Sequence, residues 1–551
     1  MFDAGLAVWD YLVVLLYAAW MLGIGVYYAR RQTDLNEYFL GGRRMNPVVV
    51  GISTMATLIS TITYLTTPGE IIKNGFGFLW AMVSIVIAFF LVGYLMIPRI
   101  MQHAIVSGYQ LLERQFGIGI RRAAAGLFVL TRVAWVGLVV YTCSVALCAM
   151  TGWPLEPVLI VTGALTTVYT VMGGIRAVIV TDVAQAFILF VGAVGVVIFA
   201  MCHAGSFTAW WPKLSAPEVR AGLNWPHVPW FAFHMTVRIS VVGMILHQVM
   251  WWVLTASSDQ LAIQRYLSTQ DARAARKSFL INGIANTLVS TFLALAGIAL
   301  LGFFLSPSQP VPPLADLLPN ARAGELGALT AQAASMPVLQ QKAFMLAQGA
   351  DKVFPWFIAH ILPAGLSGLL LAALFSAAMS SVSSGINSIT TILMVDFPHI
   401  FARSVEEAEK VVRARRIGLL TGIVTTAVSF LLQYVRGNFM DVAQKVNLFF
   451  VAPLGALFIM AFFMKRTNRY GAWASVIAGF VVGVVMAYYG EIYRLITGVE
   501  IRATFTYMLA SALAASLIVG YVVSRAFPVK KPPQTNSPPR VAGGRDSKSC
   551  S

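Results

Sequence analysis

Charged residues are scarce in this chain of 551 residues, of which only 11% are Asp, Glu, Lys or Arg. A soluble protein of this size carries about a quarter. Hydrophobic residues make up 58% of the chain, and its mean hydropathy is +0.76. These values exclude an ordinary soluble domain and indicate a polytopic membrane protein that is embedded in a lipid bilayer.

Other absences narrow the function. Only four cysteines are present, and they have neither the spacing of a metal site nor that of a disulfide framework. The motifs HExxH and GxSxG and the Walker sequence are absent, so an enzyme is not predicted. The net charge of +17 is divided among short Arg and Lys clusters between apolar segments. It therefore indicates membrane orientation and not binding to nucleic acid.

Long apolar segments follow one another along most of the chain. We expect about thirteen membrane-spanning helices, each long enough to cross roughly 30 Å of hydrocarbon. Their predicted bounds are 8–29, 46–70, 75–98, 122–150, 155–173, 177–203, 229–257, 278–305, 357–395, 416–435, 440–464, 470–490 and 503–525. The first is too long for a cleaved signal peptide and is taken as a retained helix. The basic clusters predict an N-terminus outside, a C-terminus inside, and a multi-pass protein of the inner (plasma) membrane.

The sequence predicts a single transmembrane domain over residues 1–525. Residues 526–551 are rich in Pro, Gly, Ser and basic residues, so we expect a disordered basic cytoplasmic tail there. Residues 204–228 and 306–352 are the longest interruptions between apolar segments, and both are placed outside. Within the second interruption, Pro337 and Gly349 are typical helix start and stop signals and predict a short helix over 337–348.

Two apolar segments are interrupted by polar residues. The second, which runs outward, is broken at residues 66–69, and the seventh, which runs inward, turns polar over residues 255–260. Interrupted helices at matching positions of two oppositely oriented halves are typical of secondary transporters with a central binding site. The alternative is that these positions only mark helix ends.

A run of hydroxyl residues, 376–384, lies within a long apolar segment without charges. Ser380, Ser383 and Ser384 share one helical face with Ala377, whereas Ser381 is turned to the side. In lipid the hydroxyls need a polar partner, which is a neighbouring helix, water or a cation. The alternative to a ligand role is helix packing, with each hydroxyl bonded to the backbone one turn earlier.

Two charged residues lie within apolar segments. Asp182 is about 9 Å along its helix from the cytoplasmic end, and Thr181 and Gln185 beside it carry further oxygens. A carboxylate among hydroxyls suits an alkali cation or a proton, whereas an ion pair with Arg176 is the alternative. Arg132 is expected to pair with a carboxylate such as Asp182, to line a water-filled cavity or to bind an anionic substrate.

At these residues the chain resembles the sodium:solute symporter family, which includes sodium-coupled transporters of glucose, proline, iodide, monocarboxylates and sialic acid. The resemblance extends from residue 38 to the thirteenth apolar segment. It is carried by Gly173-Gly174-Ile175-Arg176-Ala177-Val178, by Thr181-Asp182-Val183-Ala184-Gln185, by Asp259-Gln260 with Gln264-Arg265-Tyr266-Leu267, and by the serine run with Asn387 and Asp396. The family implies an all-α LeuT-type fold of two inverted five-helix repeats, here residues 46–203 and 229–464.

The resemblance also implies where sodium binds. The main site of the family uses backbone carbonyls where the first core helix unwinds, together with small or hydroxyl residues of the eighth. The matching positions are Ala56, Ile59, Ala377, Ser380 and Ser381. Some members hold a second sodium ion, and the matching positions are Asp182, Ser380, Ser383 and Ser384. We therefore expect two sodium ions as the coupled cations.

The expected solute is a small organic anion with a carboxylate. Sugar-transporting members have an acid and an amide where this chain has Ile62-Thr63, and a gating aromatic where it has Thr255. Residues 60–70 resemble the monocarboxylate, iodide and multivitamin branch. The residues expected to contact the solute are Arg132, which pairs with its carboxylate, and Thr61, Thr63, Trp252 and Thr255. The alternatives are a sugar or sialic-acid-like symporter, a proton-coupled carrier and a solute sensor of the same fold, and the sequence does not predict the oligomeric state.

Overall fold

The structure is a computed structural model that describes residues 6–29, 35–225, 227–232, 237, 239–318, 321–401, 407–434, 439–499 and 506–529. All regular structure in these residues is helical. The helices are α1 (Val8–Ala29), α2 (Leu35–Leu40), α3 (Pro47–Leu58), α4 (Thr61–Asn74), α5 (Ser84–Phe90), α6 (Ile97–Met101), α7 (Gln110–Phe116), α8 (Ile118–Thr151), α9 (Leu155–Ala204), α10 (Phe207–Ser215), α11 (Pro217–Leu223), α12 (Val241–Ser258), α13 (Gln260–Leu267), α14 (Ala272–Phe304), α15 (Leu314–Leu317), α16 (Ala323–Ala334), α17 (Val338–Gln348), α18 (Ala350–His360), α19 (Leu366–Asp396), α20 (Pro398–Phe401), α21 (Glu407–Leu431), α22 (Phe439–Phe463), α23 (Arg469–Ala487), α24 (Tyr489–Thr497) and α25 (Met508–Ala526). From residue 530 onward, the predicted tail lies outside the described residues.

Eleven helical stretches in the described part of the chain are long and apolar enough to cross a membrane. One of them, α9, has 50 residues and combines the predicted segments 155–173 and 177–203. At about 1.5 Å per residue, a straight helix of this length would extend far beyond a bilayer. The chain instead turns at Gly174, where φ is 56° and ψ is −170°, a conformation that favours glycine. This turn lies at the boundary predicted between the segments 155–173 and 177–203.

Both halves of α9 pack against α19. Before the turn, the hydroxyl of Tyr169 donates to the carbonyl of Met379 at 2.8 Å, and after the turn Gly192 lies against the first part of α19. Most of α19 is buried, whereas α1 exposes large apolar side chains such as Leu15 and Leu16. The serine-containing helix is thus central in the fold, and the first helix is peripheral.

Two membrane helices are broken. α3 ends at Leu58, and Ile59 (ψ 89°) and Ser60 (ψ 171°) leave the helical conformation before α4 begins. α12 ends at Ser258, and Asp259, with φ −80° and ψ 120°, caps the start of α13. The interruption predicted within residues 255–260 is confirmed.

The interruption predicted at residues 66–69 is wrong, because these residues are helical and buried within α4. Pro68 and Gly69 serve close packing instead. A Cβ on Gly69 would meet the carbonyl of Ala350 at 3.1 Å, and a Cβ on Gly297 would meet that of Pro68 at 2.7 Å. The actual break lies about two turns earlier, where the sequence contains neither proline nor glycine.

Short helices cover one side of the structure, which we call the lid face. Trp225 donates from Nε1 to the carbonyl of Ile72 in α4 at 2.8 Å. Lys342 of α17 donates from Nζ to three carbonyls at and beyond the end of α14, at 2.7 to 3.2 Å. The short helix predicted over 337–348 is confirmed as α17. These contacts fix the lid helices to the ends of two membrane helices.

The opposite side, which we call the basic face, gathers Arg- and Lys-rich connections. Arg43 donates to the carbonyl of Ile105 at 2.6 Å, and Arg121 near the start of α8 bonds Asp396 at the end of α19 at 2.6 Å. These contacts join connections that are far apart in the sequence. By the positive-inside rule, this is the face expected in the cytoplasm.

Candidate sodium and solute sites

The break between α3 and α4 lies against the serine run of α19. Ser380 donates from Oγ to the carbonyl of Ala56 at 2.9 Å, and its Oγ is 3.3 Å from the carbonyl oxygen of Ala377. Ser381 donates to the carbonyl of Thr57 at 2.8 Å. All of these residues are buried. The two serines therefore bring their hydroxyls to backbone carbonyls at the end of a broken helix.

Four of the five residues predicted for the main sodium site meet at this point, namely Ala56, Ala377, Ser380 and Ser381. The fifth, Ile59, is buried and directly follows the last residue of α3. The cluster contains only neutral oxygens, which is the ligand type that broken membrane helices offer to sodium. Because a hydroxyl can rotate, each serine can turn a lone pair to a cation without a change of backbone.

Asp182 in the second half of α9 is fully buried and bonded through one oxygen. Its Oδ2 accepts from Ser53 Oγ at 2.6 Å, from Thr57 Oγ1 at 3.1 Å and from Arg265 Nη2 at 2.9 Å. Its Oδ1 is buried and has no hydrogen-bond partner among the described residues. An isolated charge in such a site is strongly unfavourable, and Arg265 supplies the opposite charge.

Arg265 of α13 is 1% exposed and connects four helices. Beyond Asp182 in α9, its guanidinium donates to Thr57 of α3 at 2.5 Å and to Ser384 of α19 at 2.6 Å. The same group lies 3.3 Å from Ser53 Oγ. A single buried cation thus joins α13 to the broken helix and to the serine run.

The ion pairs that the sequence suggested for Asp182 do not form. Arg176 pairs with Glu37, because it lies at the turn of α9 on the basic face. Arg132 pairs with Asp259, the residue at the break between α12 and α13. Both arginines thus pair with other carboxylates, and Asp182 pairs with Arg265.

The four residues predicted for a second sodium ion lie near one another, and each of the three serines already has a hydrogen-bond partner. Ser380 bonds at the main site, Ser383 donates to the carbonyl of Ser380 at 3.1 Å, and Ser384 contacts Thr57 at 3.0 Å as well as Arg265. A cation here would use the unpartnered Oδ1 of Asp182. Two unit charges about 5 Å apart repel by about 3 kcal/mol at an effective dielectric constant of about 20. The Arg265 guanidinium therefore weakens binding of sodium to Asp182, and bound sodium would weaken the ion pair of Asp182 with Arg265.

A cavity of about 220 Å³ opens beside the two broken helices. Its aromatic walls come from Phe78, Phe128, Trp135, Trp251, Trp252 and Phe450. Arg132 and Asp259 both line it, and their side chains are 14% and 16% exposed. Although the two form an ion pair, the Nε of Arg132 is buried and has no hydrogen-bond partner within the described residues. The Nε is therefore unpaired but covered, and an acceptor in the cavity reaches it only if the Arg132 side chain shifts.

Four of the five residues predicted to contact the solute line this cavity, namely Thr63, Arg132, Trp252 and Thr255. Thr61 does not, because its buried hydroxyl faces the core and donates to the carbonyl of Leu374 at 3.3 Å. Thr61 and Thr63 were both predicted to contact the solute, and only Thr63 lies at the cavity.

Sequence reasoning gave no role to Ser53, Thr57, Asp259 or Arg265. Ser53 and Thr57 are four residues apart on α3, which is the spacing of two side chains on one helical face. Asp259 and Arg265 follow directly after a broken membrane helix, where a charged residue is a candidate for function by position alone. The sequence therefore contained signals for these four residues, but it did not show which residues they pair with.

The profile of the sodium:solute symporter family matches residues 38–479 of this chain. The chain belongs to this family. It is 26% identical over 491 residues to the sodium/sialic acid symporter of Proteus mirabilis, covering 88% of this chain and 90% of the relative. It is also 26% identical to the human sodium-coupled monocarboxylate transporter 1, covering 88% of this chain and 74% of the relative.

Among solved structures, a substrate-bound, outward-open sodium-coupled sialic acid symporter resembles this chain with a TM-score of 0.74. The two are 23% identical, and the match covers 95% of this chain and 98% of the other. This likeness confirms the all-α LeuT-type fold expected from the sequence. The chain is a multi-pass plasma membrane protein of a family of sodium-coupled transporters, and it shares their use of sodium.

Proposed function

We propose that this symporter couples the inward movement of two sodium ions to import of a small organic carboxylate by alternating access. The observation that carries the proposal is the position of Arg132. Its guanidinium lines the cavity and retains a buried Nε without a hydrogen-bond partner in the described residues. A planar guanidinium binds carboxylates through paired hydrogen bonds, and in a membrane interior it needs such a partner. Thr63, Trp252 and Thr255 form the adjoining wall for the rest of the solute.

The main sodium ion is assigned to the carbonyls of Ala56, Ile59 and Ala377 and the hydroxyls of Ser380 and Ser381. Sodium at this point holds the end of α3 against α19, because its ligands come from both helices. It thereby orders the break next to the cavity. Binding of sodium first would favour the state that accepts the solute.

The second sodium ion is assigned to Asp182 with Ser380, Ser383 and Ser384. The support is the Oδ1 of Asp182, a buried carboxylate oxygen without a partner in the described part of the chain. The solved sialic acid symporter that this chain resembles is itself described as revealing a novel sodium site. Two sodium ions and one monoanion carry a net positive charge inward. A membrane potential of 100 mV then contributes about 2.3 kcal/mol for each net charge moved.

The test is uptake into vesicles that contain the purified full chain. Radiolabelled lactate, biotin and sialic acid would each be offered under an inward sodium gradient, a pH gradient alone, or neither, with glucose as the uncharged control. We expect one carboxylate to accumulate only with the sodium gradient. Accumulation that follows the pH gradient would identify a proton-coupled carrier, and accumulation of glucose alone would refute the carboxylate assignment.

A second candidate is a symporter for a larger, polar sugar acid of the sialic acid type. The side-chain amides of Gln248, Asn286 and Asn447 line the same cavity, and no hydrogen bond engages them within the described residues. Such amides suit hydroxyl or acylamino groups of a solute. Uptake under the sodium gradient decides between the two candidates, because a small-carboxylate symporter should accumulate lactate or biotin and a sugar-acid symporter should accumulate sialic acid.

A further inference from the structure

The short helix α13 is held by two ion pairs of opposite sense. At its start, the carboxylate of Asp259 pairs with Arg132 of α8, while Oδ1 of the same residue caps the helix through Leu261 N at 2.9 Å. Near its other end, the guanidinium of Arg265 pairs with Asp182 of α9. The first ion pair therefore takes its acidic residue from the start of α13, and the second takes its basic residue from α13.

Each partner outside α13 is also a group to which the proposed function assigns a transported ion. The solute carboxylate that binds Arg132 is negatively charged, as Asp259 is. The sodium ion that binds Asp182 is positively charged, as Arg265 is. Each transported ion is therefore a replacement, of the same sign, either for Asp259, which caps α13, or for Arg265 within it. Removing either residue without a replacement would leave a buried charge uncompensated.

We propose that α13 is the coupling element of this symporter and that Asp259 and Arg265 are its two positioning residues. The solute carboxylate displaces Asp259 from Arg132, sodium displaces Arg265 from Asp182, and α13 leaves its position only after both exchanges. Either ion alone leaves one ion pair in place, so transport requires both. This inference rests on the proposed function.

The position of α13 suits this role. Ser258, Asp259 and Leu261 line the cavity, so the start of α13 forms part of its wall. At the other end, the carbonyl of Ser268 accepts from the backbone of Met45 at 3.0 Å on the basic face. All eight residues of the helix are buried. A path from the cavity to the basic face therefore requires α13 to move, and the break at Asp259 allows it to move without α12.

The experiment measures access to the end of α13 in the full chain purified in detergent. Ser268→Cys places a thiol at a buried position, and labelling with a maleimide is followed at this residue by mass spectrometry. In this parent we expect slow labelling in potassium and in sodium. Adding Asp259→Asn should leave labelling slow in potassium and accelerate it in sodium by about 5- to 150-fold, the usual range for coupled sites.

Two further variants complete the set. Arg265→Gln alone should label slowly in both salts, because the pair of Asp259 with Arg132 remains. The combination of Asp259→Asn and Arg265→Gln should label quickly even without sodium. Glu491→Gln is the matched control, because it removes an ion pair with Lys445 on the lid face, and it should behave as the parent does. Asn preserves the helix cap of Asp259, and Asp259→Ser is the substitute if the Asn variant does not fold.

Equal labelling of Asp259→Asn in sodium and potassium would overturn the inference, and so would slow labelling of the double variant. The rise in unfolding temperature that sodium causes is measured on the same samples. If sodium stabilises the parent but labelling never responds, only the role of α13 is wrong. If sodium stabilises none of the variants, the proposed function is wrong and the inference falls with it.

Discussion

The serine run of α19 touches two polar clusters that are built from different chemistry. The hydroxyls of Ser380 and Ser381 are bonded to neutral backbone carbonyls. Around Ser384, one turn further along, a carboxylate and a guanidinium are already paired. The neutral cluster can accept a cation by rotating hydroxyls, because no charge has to leave. The charged cluster is already neutralised, so it accepts a cation readily only if Arg265 withdraws. In the proposed function, α19 thus contributes to two sodium sites, one that is open and one where sodium has to replace Arg265.

The largest effect is expected at the other exchange site, the pair of Arg132 with Asp259. Arg132→Ala should reduce solute affinity by on the order of 100-fold or more, because hydrogen bonds to a charged group each contribute about 1.5–3 kcal/mol. It should spare stabilisation by sodium, since no hydrogen bond or ion pair joins Arg132 to either serine cluster within the described residues. Vesicle uptake and the sodium-dependent unfolding temperature measure the two effects. Retained solute affinity would refute the anion assignment, and Arg132→Lys, which keeps the charge without the planar donors, should give an intermediate loss.

The neutral cluster is tested by Ser380→Ala combined with Ser381→Ala. Removing two of its hydroxyl ligands should raise the sodium concentration for half-maximal uptake by on the order of 100-fold. Uptake at a series of sodium concentrations measures this. Ser388→Ala is the matched control on the same helix, because within the described residues that hydroxyl bonds only the carbonyl of Gly385, at 2.9 Å. An unchanged sodium dependence in the double variant would remove the main-site assignment.

The charged cluster should respond differently. Asp182→Asn should lower the Hill coefficient for sodium from about two toward one, with a smaller change in half-maximal concentration, because the neutral cluster remains intact. It should also lower the unfolding temperature in sodium-free buffer, because Arg265 loses its only carboxylate partner among the described residues. Sodium titrations of uptake measure the first effect. A Hill coefficient that stays near two in this variant would place the second sodium ion elsewhere.

The sequence predicted the fold well where one residue type determines the local geometry. Apolar length predicted the membrane helices, and Pro337 and Gly349 predicted the start and the end of a short helix. It failed where geometry depends on packing between distant elements. Pro68 indicated a break at its own position, but the actual break lies about two turns earlier. Pro68 itself stays within a helix, where close contacts with α14 and α18 hold it. The break itself leaves no signal in the sequence.

The candidate sites show the same division. Hydroxyls and single charges in apolar segments indicated Ser380, Asp182 and Arg132 as polar residues that need partners. Their partners could not be predicted, because Arg265 is 83 residues from Asp182 and Asp259 is 127 residues from Arg132. Such pairs depend on which faces of distant helices meet. Composition and periodicity predict that a buried charge has a partner, but not which residue it is.

The smallest effect distinguishes two threonines at the start of α4. Residues two apart on a helix point about 200° apart, and Thr63 lines the cavity whereas the hydroxyl of Thr61 bonds Leu374 in the core. Thr63→Val should weaken solute affinity by about three- to tenfold, equal to the loss of one net hydrogen bond of about 0.5–1.5 kcal/mol. Thr61→Val should leave solute affinity unchanged and lower the unfolding temperature slightly. Competition binding with the transported carboxylate measures both, and a loss of affinity in Thr61→Val that matches or exceeds that in Thr63→Val would mean that α4 turns its other face to the solute.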